Sequence, residues 1–303
     1  MEAYAKSISI NDQQARYYDL SSLNKLEATL NDQRPSAHFY GGNGFTVGTY
    51  EPLLTELTAG FDLSSLAMRG YWYDEPANKV MTREQDAAML IEYLEKTQDQ
   101  PIVGIGHSQG ASATVMAAAQ RPELFSQLYL IDPVTFTKPQ TLLYSRIPRR
   151  LLMTQEPFKS TRKKQRHWTS IDDYYQYLRQ HRAFKRISDE HLTTFANNSL
   201  VKTDDGRYTL LFKPEHELAS YFGTPYITSA LKNLNKNNVP YTLILAKPSV
   251  FNSDKVRKSW QGVVPEKHII TLPEYGHLLP MEAPELCAQI IHEHHQSGKQ
   301  AKS

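Results

Sequence analysis

Residues 101–120 read PIVGIGHSQGASATVMAAAQ, and this segment is the most informative about the fold. Ile102–Ile105 is a short apolar run typical of a buried strand, and the alanine-rich residues after Gly110 favour a helix. Between them, Gly106–Gly110 reads GHSQG and matches the pattern G-x-S-x-G. A serine at so tight a strand-to-helix turn is held in a strained backbone conformation that keeps its hydroxyl clear of the sheet. The stretch therefore predicts Ser108 as a nucleophile, the alternative being a glycine-rich turn without chemistry.

Short apolar runs alternate with longer helical patterns on both sides of this turn. Such alternation predicts an α/β protein with a mostly parallel sheet covered by helices. Helices are expected from Thr49 to about Ala59, from Thr82 to Thr97 and from Glu282 to about Gln296. The predicted strands are Ser7–Ile10, Gln14–Tyr18, Ala37–Tyr40, Phe61–Met68, Ile102–Ile105, Leu128–Ile131, Thr242–Leu245 and His268–Thr271.

The alternation stops between Pro133 and about Asn235. From Val134 to Asn235 the chain carries 17 Lys and Arg against 9 Asp and Glu, although the net charge of the whole chain is only +2. A charge step of this size indicates a separate structural unit. We therefore expect a helical cap, residues 134–235, inserted into an α/β core made of residues 1–133 and 236–303.

Composition narrows the classes of protein to which the chain can belong. Of its 303 residues, 40% are hydrophobic and 22% charged, which is typical of a globular protein. The small net charge gives no global field for nucleic acid, and no apolar run approaches the roughly 20 residues that a membrane span needs. Cys287 is the only cysteine, and the first residues carry no signal-peptide pattern. A soluble cytoplasmic protein is the expectation.

His277 is the strongest candidate for a general base among 11 histidines. It lies in PEYGHLLP, residues 273–280, just after the last predicted strand. A general base has to lie on a loop at the carboxyl edge of the sheet to reach the serine hydroxyl. Its position also matches the chain order serine, acid, histidine.

Several motifs in this order resemble the α/β-hydrolase superfamily, in its esterase- and lipase-like branch with a helical cap. They are GGNGF from Gly41, AMRGYW from Ala67, GHSQG, LIDPV from Leu130 and YGHLLPMEAPE from Tyr275. The resemblance covers the sheet domain but not the cap. It implies eight strands, a Ser-His-acid triad and neither a metal nor an organic cofactor.

The glycine-rich turn after the third predicted strand is expected to form part of an oxyanion hole. Its alternative role, a phosphate-binding loop, would need the lysine of a P-loop, which is missing. The family often begins this motif with histidine, whereas this chain has GGNG. We therefore assign one donor to the backbone N–H of Asn43, with Gly42 as the alternative, and the other to the N–H of Gln109.

The triad acid is the point at which the chain departs most from the family. The resemblance implies an acid after the penultimate strand, where this chain has Ser249 or Val250. Asp254 follows a few residues later and is either a shifted acid or a helix N-cap. Asp132 directly follows the strand Leu128–Ile131, at the catalytic edge of the sheet, and some members of the superfamily place their acid there. We rank Asp132 first and Asp254 second; a Ser-His dyad or a water-assisted site is the third possibility.

The predicted function is hydrolysis of a small-molecule carboxylic ester or thioester, as in carboxylesterases. Tyr71 and Trp72, after the Arg69-Gly70 turn, and Trp168 in the cap are candidates to line the substrate pocket, although cap aromatics also serve packing. Carbon–carbon bond hydrolysis or cofactor-free chemistry on the same fold is one alternative. A non-catalytic binding protein is the other. The chain is expected to be a monomer or homodimer.

Overall fold

The computed structural model describes residues 1–23, 34–76, 80–247, 249, 251 and 253–300. Eleven strands lie in this part of the chain. They are β1 (Ala5–Ile10), β2 (Gln13–Asp19), β3 (Ser36–Tyr40), β4 (Asp62–Leu66), β5 (Ile102–His107), β6 (Phe125–Ile131), β7 (His167–Trp168), β8 (Leu200–Lys202), β9 (Tyr208–Leu210), β10 (Tyr241–Ala246) and β11 (Ile269–Leu272).

Eight of these strands form one sheet in the order β1-β2-β4-β3-β5-β6-β10-β11. β1 and β2 form an antiparallel hairpin, and β2 also pairs with β4 in antiparallel fashion. The pairings between the other strands of this sheet are parallel. The sheet confirms the predicted mostly parallel, eight-stranded α/β fold. Every residue of β5 and β10 is buried, as expected of central strands that are covered on both faces.

Thirteen α-helices lie in the same described residues. They are α1 (Glu51–Leu57), α2 (Arg83–Thr97), α3 (Ser108–Gln120), α4 (Lys138–Tyr144), α5 (Arg149–Leu152), α6 (Phe158–Arg162), α7 (Ile171–Gln180), α8 (Asp189–Ser199), α9 (Pro214–Ser220), α10 (Thr228–Lys236), α11 (Asp254–Trp260), α12 (Leu279–Glu282) and α13 (Pro284–Gln300). Short 3₁₀ turns lie at Glu2–Tyr4, Val47–Tyr50, Arg69–Tyr71, Pro122–Leu124, Arg182–Phe184 and Glu266–His268. None of the described helices is long and apolar enough to cross a membrane.

Helix α2 illustrates how local sequence sets an element's start. The Thr82 side chain accepts a hydrogen bond from the N–H of Gln85, whose side chain in turn accepts from the N–H of Thr82. This reciprocal capping satisfies two N–H groups that an isolated helix end would leave unpaired. The helix begins at Arg83, where the capping threonine predicts it to begin.

The segment between β6 and β10 contains both helices and a small sheet. β7, β9 and β8 pair in that order, all antiparallel, a feature that the helical prediction for residues 134–235 did not include. Its last helix, α10, packs against α3, and Asn233 donates a side-chain hydrogen bond to the Ala119 carbonyl at 2.7 Å. Helix α10 therefore lies directly against the helix that begins with Ser108.

Candidate active site

The turn between β5 and α3 holds Ser108 in a strained conformation. Its φ angle is 56°, in the left-handed region that residues with a side chain rarely adopt. A Cβ on Gly110 would lie 2.2 Å from the carbonyl oxygens of Tyr40 and Gly41, and one on Gly106 would lie 2.6 Å from the Cα of Ala111. Only glycine fits at both places, so strand and helix cross closely and the Ser108 hydroxyl stands at the sheet edge.

Three side chains, each placed directly or shortly after a different strand of the large sheet, form a continuous hydrogen-bonded chain. The Oγ of Ser108 lies 2.9 Å from Nε2 of His277, and Nδ1 of His277 lies 2.6 Å from Oδ2 of Asp132. Asp132 is 1% exposed, and the His277 side chain is 24% exposed. The structure thus brings together the predicted nucleophile, the predicted base and the first-ranked acid in the geometry of a Ser-His-Asp triad.

Asp132 receives further hydrogen bonds from the neighbouring strand β10 and its loop. The N–H of Ala246 donates to Oδ1 at 3.2 Å, and the hydroxyl of Ser249 donates to Oδ2 at 2.6 Å. Asp254, the second-ranked acid, is the first residue of α11 and is exposed. Val250 lies outside the described residues. Ser249 therefore occupies the loop where an acid was sought and supports the carboxylate from the adjacent strand.

Two hydrogen-bond donors of the glycine-rich turn after β3 already have partners within the protein. The N–H of Gly42 donates to the Tyr50 hydroxyl at 2.7 Å, which occupies that donor. The side-chain amide of Asn43 donates to the carbonyl of Glu217, at 2.8 Å. A Cβ on Gly42 would lie 3.2 Å from Cβ of Ser108, so the turn faces the serine directly. Of the two predicted donors in this turn, the geometry favours the N–H of Asn43 over that of Gly42.

A buried histidine links this turn to the base. Burial lowers the pKa of His107 to about 3, so its ring is neutral. One ring nitrogen lies 2.8 Å from the His277 carbonyl, which can only accept, so Nε2 carries the proton. Nδ1 must then accept from the Tyr50 hydroxyl, 2.8 Å away. These constraints give one direction of donation, from the N–H of Gly42 to Tyr50, from Tyr50 to His107, and from His107 to the backbone of His277.

The loop that carries His277 is held from two further sides. The N–H of Gly276 donates to the Glu282 carboxylate at 2.6 Å, and burial raises the pKa of Glu282. The ring of Phe251 lies 4.7 Å from the His277 ring, centroid to centroid. The first contact fixes the backbone of the loop, and the second packs a ring against the imidazole beside Ser108.

The predicted pocket aromatics have other partners. The Tyr71 hydroxyl donates to the Glu2 carboxylate at 3.0 Å, and the Trp72 indole donates to the Ala67 carbonyl at 2.7 Å. Trp168 is 2% exposed and packs on Tyr174, with ring centroids 4.6 Å apart. Packing and hydrogen bonding explain the positions of these three side chains, and none of these contacts involves Ser108 or His277.

Sequence reasoning missed three residues that the structure adds to the site, namely Tyr50, His107 and Ser249. His107 lies inside the GHSQG motif, and Ser249 stands where an acid was sought, so both positions carried a detectable signal. Tyr50 carried none, because its role depends on a contact across 57 residues of chain. No group of three or more His, Cys, Asp or Glu residues in the described part of the chain is placed to hold a metal ion.

Comparison of the sequence with those of known proteins finds several relatives of this chain. The uncharacterized hydrolase YugF of Bacillus subtilis (strain 168) is 23% identical over 264 residues, which cover 84% of this chain and 86% of that protein. The type I acyl-CoA thioesterase mpaH of Penicillium roqueforti (strain FM164) is 29% identical over 121 residues, only 35% of this chain and 28% of that protein.

The fold is also found among solved structures. The thioesterase domain from the curacin biosynthetic pathway superposes with a TM-score of 0.68 at 16% identity, covering 95% of this chain and 98% of that one. Residues 37–290 match the model of the alpha/beta hydrolase family, which is most of the chain and includes Ser108, Asp132 and His277. The chain therefore belongs to the alpha/beta hydrolase family.

Proposed function

We propose that this protein is a serine hydrolase that cleaves a carboxylic ester or thioester of a small molecule through an acyl-enzyme. The observation that carries the proposal is the unbroken contact from Ser108 through His277 to Asp132, at 2.9 and 2.6 Å. Hydrogen-bond reach between nucleophile, base and orienting acid is the signature of an activated serine. The chain's membership of the alpha/beta hydrolase family supports the same reaction class.

In the proposed mechanism, the Ser108 oxygen attacks the substrate carbonyl while Nε2 of His277 takes the hydroxyl proton. Asp132 stays ionised, holds the proton on Nδ1 of His277 and stabilises the imidazolium that forms. The protonated ring then gives its proton to the leaving alcohol or thiol, and the acyl group remains on Ser108. Water, deprotonated by the same ring, cleaves the acyl-enzyme and restores the serine.

The negative oxygen of the tetrahedral intermediate is proposed to bind the backbone N–H groups of Asn43 and Gln109. Gln109 is the second residue of α3, where backbone N–H groups have no partner within the helix. The positive end of the helix dipole adds to the stabilisation of the oxyanion. The N–H of Gly42 already donates to the Tyr50 hydroxyl, which supports Asn43 as the donor from this turn.

The segment between β6 and α10 is proposed to act as a cap over the site. Two contacts support this role: the Glu217 carbonyl accepts from the Asn43 side chain, and the Thr46 hydroxyl donates to the Asn198 carbonyl at 2.7 Å. Both contacts join the inserted segment to the loop that carries the oxyanion turn. A cap in this position would exclude water and select the acyl group.

The choice of ester or thioester rests on the relatives, one of which is an acyl-CoA thioesterase and another a thioesterase domain. Cytoplasmic location and a monomeric or homodimeric state stay predictions from the sequence. Carbon–carbon bond hydrolysis on the same fold likewise stays an alternative from the sequence.

The test is covalent labelling with a fluorophosphonate, followed by a substrate screen. We expect rapid labelling of Ser108, no labelling of Ser108→Ala and slow labelling of His277→Ala. Ser112→Ala is the matched control, because Ser112 lies one turn further along α3 and is fully buried. p-Nitrophenyl esters and acyl-CoA thioesters of increasing chain length then identify the acyl group. A correctly folded protein that resists the label would contradict the proposal and favour a non-catalytic binding protein.

A further inference from the structure

Positive charge is concentrated in one short part of the inserted segment. Residues 138–166 carry nine Lys and Arg and a single acidic residue, Glu156. Two of the nine are paired, Lys164 with Glu217 at 2.9 Å and Arg166 with Glu215. The other seven are exposed, and none of them forms a salt bridge with a carboxylate in the described residues. These seven are Lys138, Arg146, Arg149, Arg150, Lys159, Arg162 and Lys163.

Three leucines are exposed among these cations. Leu142, Leu143 and Leu151 are 52%, 61% and 50% exposed. They make up three of the five large hydrophobic side chains that are exposed in the described part of the chain, the others being Tyr73 and Val201. Single exposed apolar residues are ordinary, but a cluster within ten residues of chain indicates an interaction surface.

The opposite side of the same segment packs into the protein. Leu152 and Phe158 are 7% and 6% exposed, and the Phe158 ring lies 4.9 Å from that of Phe222 and 5.9 Å from that of Tyr221. The segment is therefore anchored through one set of apolar side chains and turns a different set outward. Its exposed leucines are not core residues of this chain.

We propose that residues 138–166 form a surface that docks on a lipid bilayer with anionic headgroups. Leucine beside arginine is the composition of interfacial elements, in which leucine enters the acyl boundary and arginine binds phosphate groups. Protein interfaces, by contrast, are depleted of lysine, which makes up three of the seven exposed cations. Here Arg146 follows Leu142 and Leu143 by one turn, and Arg149 and Arg150 directly precede Leu151. The charge is interleaved with the apolar residues, which favours lipid over an acidic protein.

The docking surface connects to the candidate active site. Lys164, at the end of the basic segment, pairs with the Glu217 carboxylate, and the Glu217 carbonyl accepts from the Asn43 side chain. Docking would hold the oxyanion turn near the bilayer, although binding itself does not depend on the proposed hydrolysis. Ser108→Ala should therefore bind vesicles as the natural protein does, which separates failure of this inference from failure of the proposed function.

The test is co-sedimentation of the whole protein with vesicles of phosphatidylcholine alone or mixed with phosphatidylserine. We expect binding to the mixed vesicles that is at least about tenfold stronger and that weakens as salt is added. Binding should be lost in two separate triple variants, in which all the changed residues are exposed. These are Arg146→Gln/Arg149→Gln/Arg150→Gln and Leu142→Ser/Leu143→Ser/Leu151→Ser.

The matched control removes the same charge from three exposed basic residues elsewhere in the chain, Arg182→Gln/Lys185→Gln/Lys202→Gln. This control should keep binding, which separates a local surface from overall charge. Equal binding to both kinds of vesicle, or equal loss in the control, would overturn the proposal. Binding to immobilised polyglutamate without binding to anionic vesicles would also overturn it and would assign the surface to an acidic protein.

Discussion

Replacing Asp132 by asparagine tests the assignment of the acid most directly. The Oδ1 atom of Asp132 accepts from the N–H of Ala246, whereas Oδ2 accepts from His277 and from the Ser249 hydroxyl. An amide nitrogen in the Oδ1 position would face the backbone N–H, donor against donor. The amide nitrogen of asparagine must therefore take the Oδ2 position, where it donates to Nδ1 of His277.

The consequence is a change of tautomer. With Nδ1 as an acceptor, the single proton of the neutral ring moves to Nε2, which faces the Ser108 oxygen at 2.9 Å. The ring can then no longer accept the serine proton. In known triads the same substitution lowers kcat by about 10⁴, equivalent to roughly 5.4 kcal/mol in the activation free energy.

The assay is steady-state kcat on the best p-nitrophenyl ester, together with the rate of fluorophosphonate labelling. Asp254→Asn is the matched control, since it makes the same chemical change at an exposed residue and is expected to alter kcat by less than about twofold. The reasoning fails if Asp132→Asn keeps more than about a tenth of the activity, or if Asp254→Asn loses as much as Asp132→Asn does.

Three further predictions concern the hydrogen bonds around the candidate site and the protonation of two buried histidines. Ser249→Ala removes a donor to the ionised Asp132, a bond of about 1.5 kcal/mol or more, and should lower kcat about tenfold; an unchanged kcat would exclude a supporting role. Tyr50→Phe leaves two buried polar groups unpaired, so urea titration should give a free energy of unfolding lower by about 2–6 kcal/mol, whereas a loss below about 1 kcal/mol would contradict the network. Burial lowers the pKa of His38 and His107 to about 3, so the folded state binds fewer protons than the unfolded state below about pH 6.5. The free energy of unfolding is unaffected by these two groups above that pH. Between about pH 6 and 5 it should fall by about 1 kcal/mol per pH unit for each histidine. Urea titrations at these two pH values that give the same free energy of unfolding would refute the prediction.

Much of the fold was determined by the sequence alone, because the features involved are local. The strand, turn and helix of residues 101–120 depend on neighbours in the chain: two glycines where backbones cross, an apolar strand before them and alanines after them. The position of His277 after the last strand followed from the same alternation. The expectation of eight strands came from the family resemblance, and the structure has the eight-stranded sheet.

The identity of the residue that faces His277 was decided only by the tertiary structure. Asp132 and Ser249 are 117 residues apart in the chain, and they meet because β6 and β10 are adjacent parallel strands whose carboxyl ends lie at one edge. An acid can reach the same imidazole from the end of either strand, so the motif order by itself left the choice open. The exposure of Leu142 and Leu143 was likewise decided by packing, since burial depends on which distant elements cover a helix and not on its own residues.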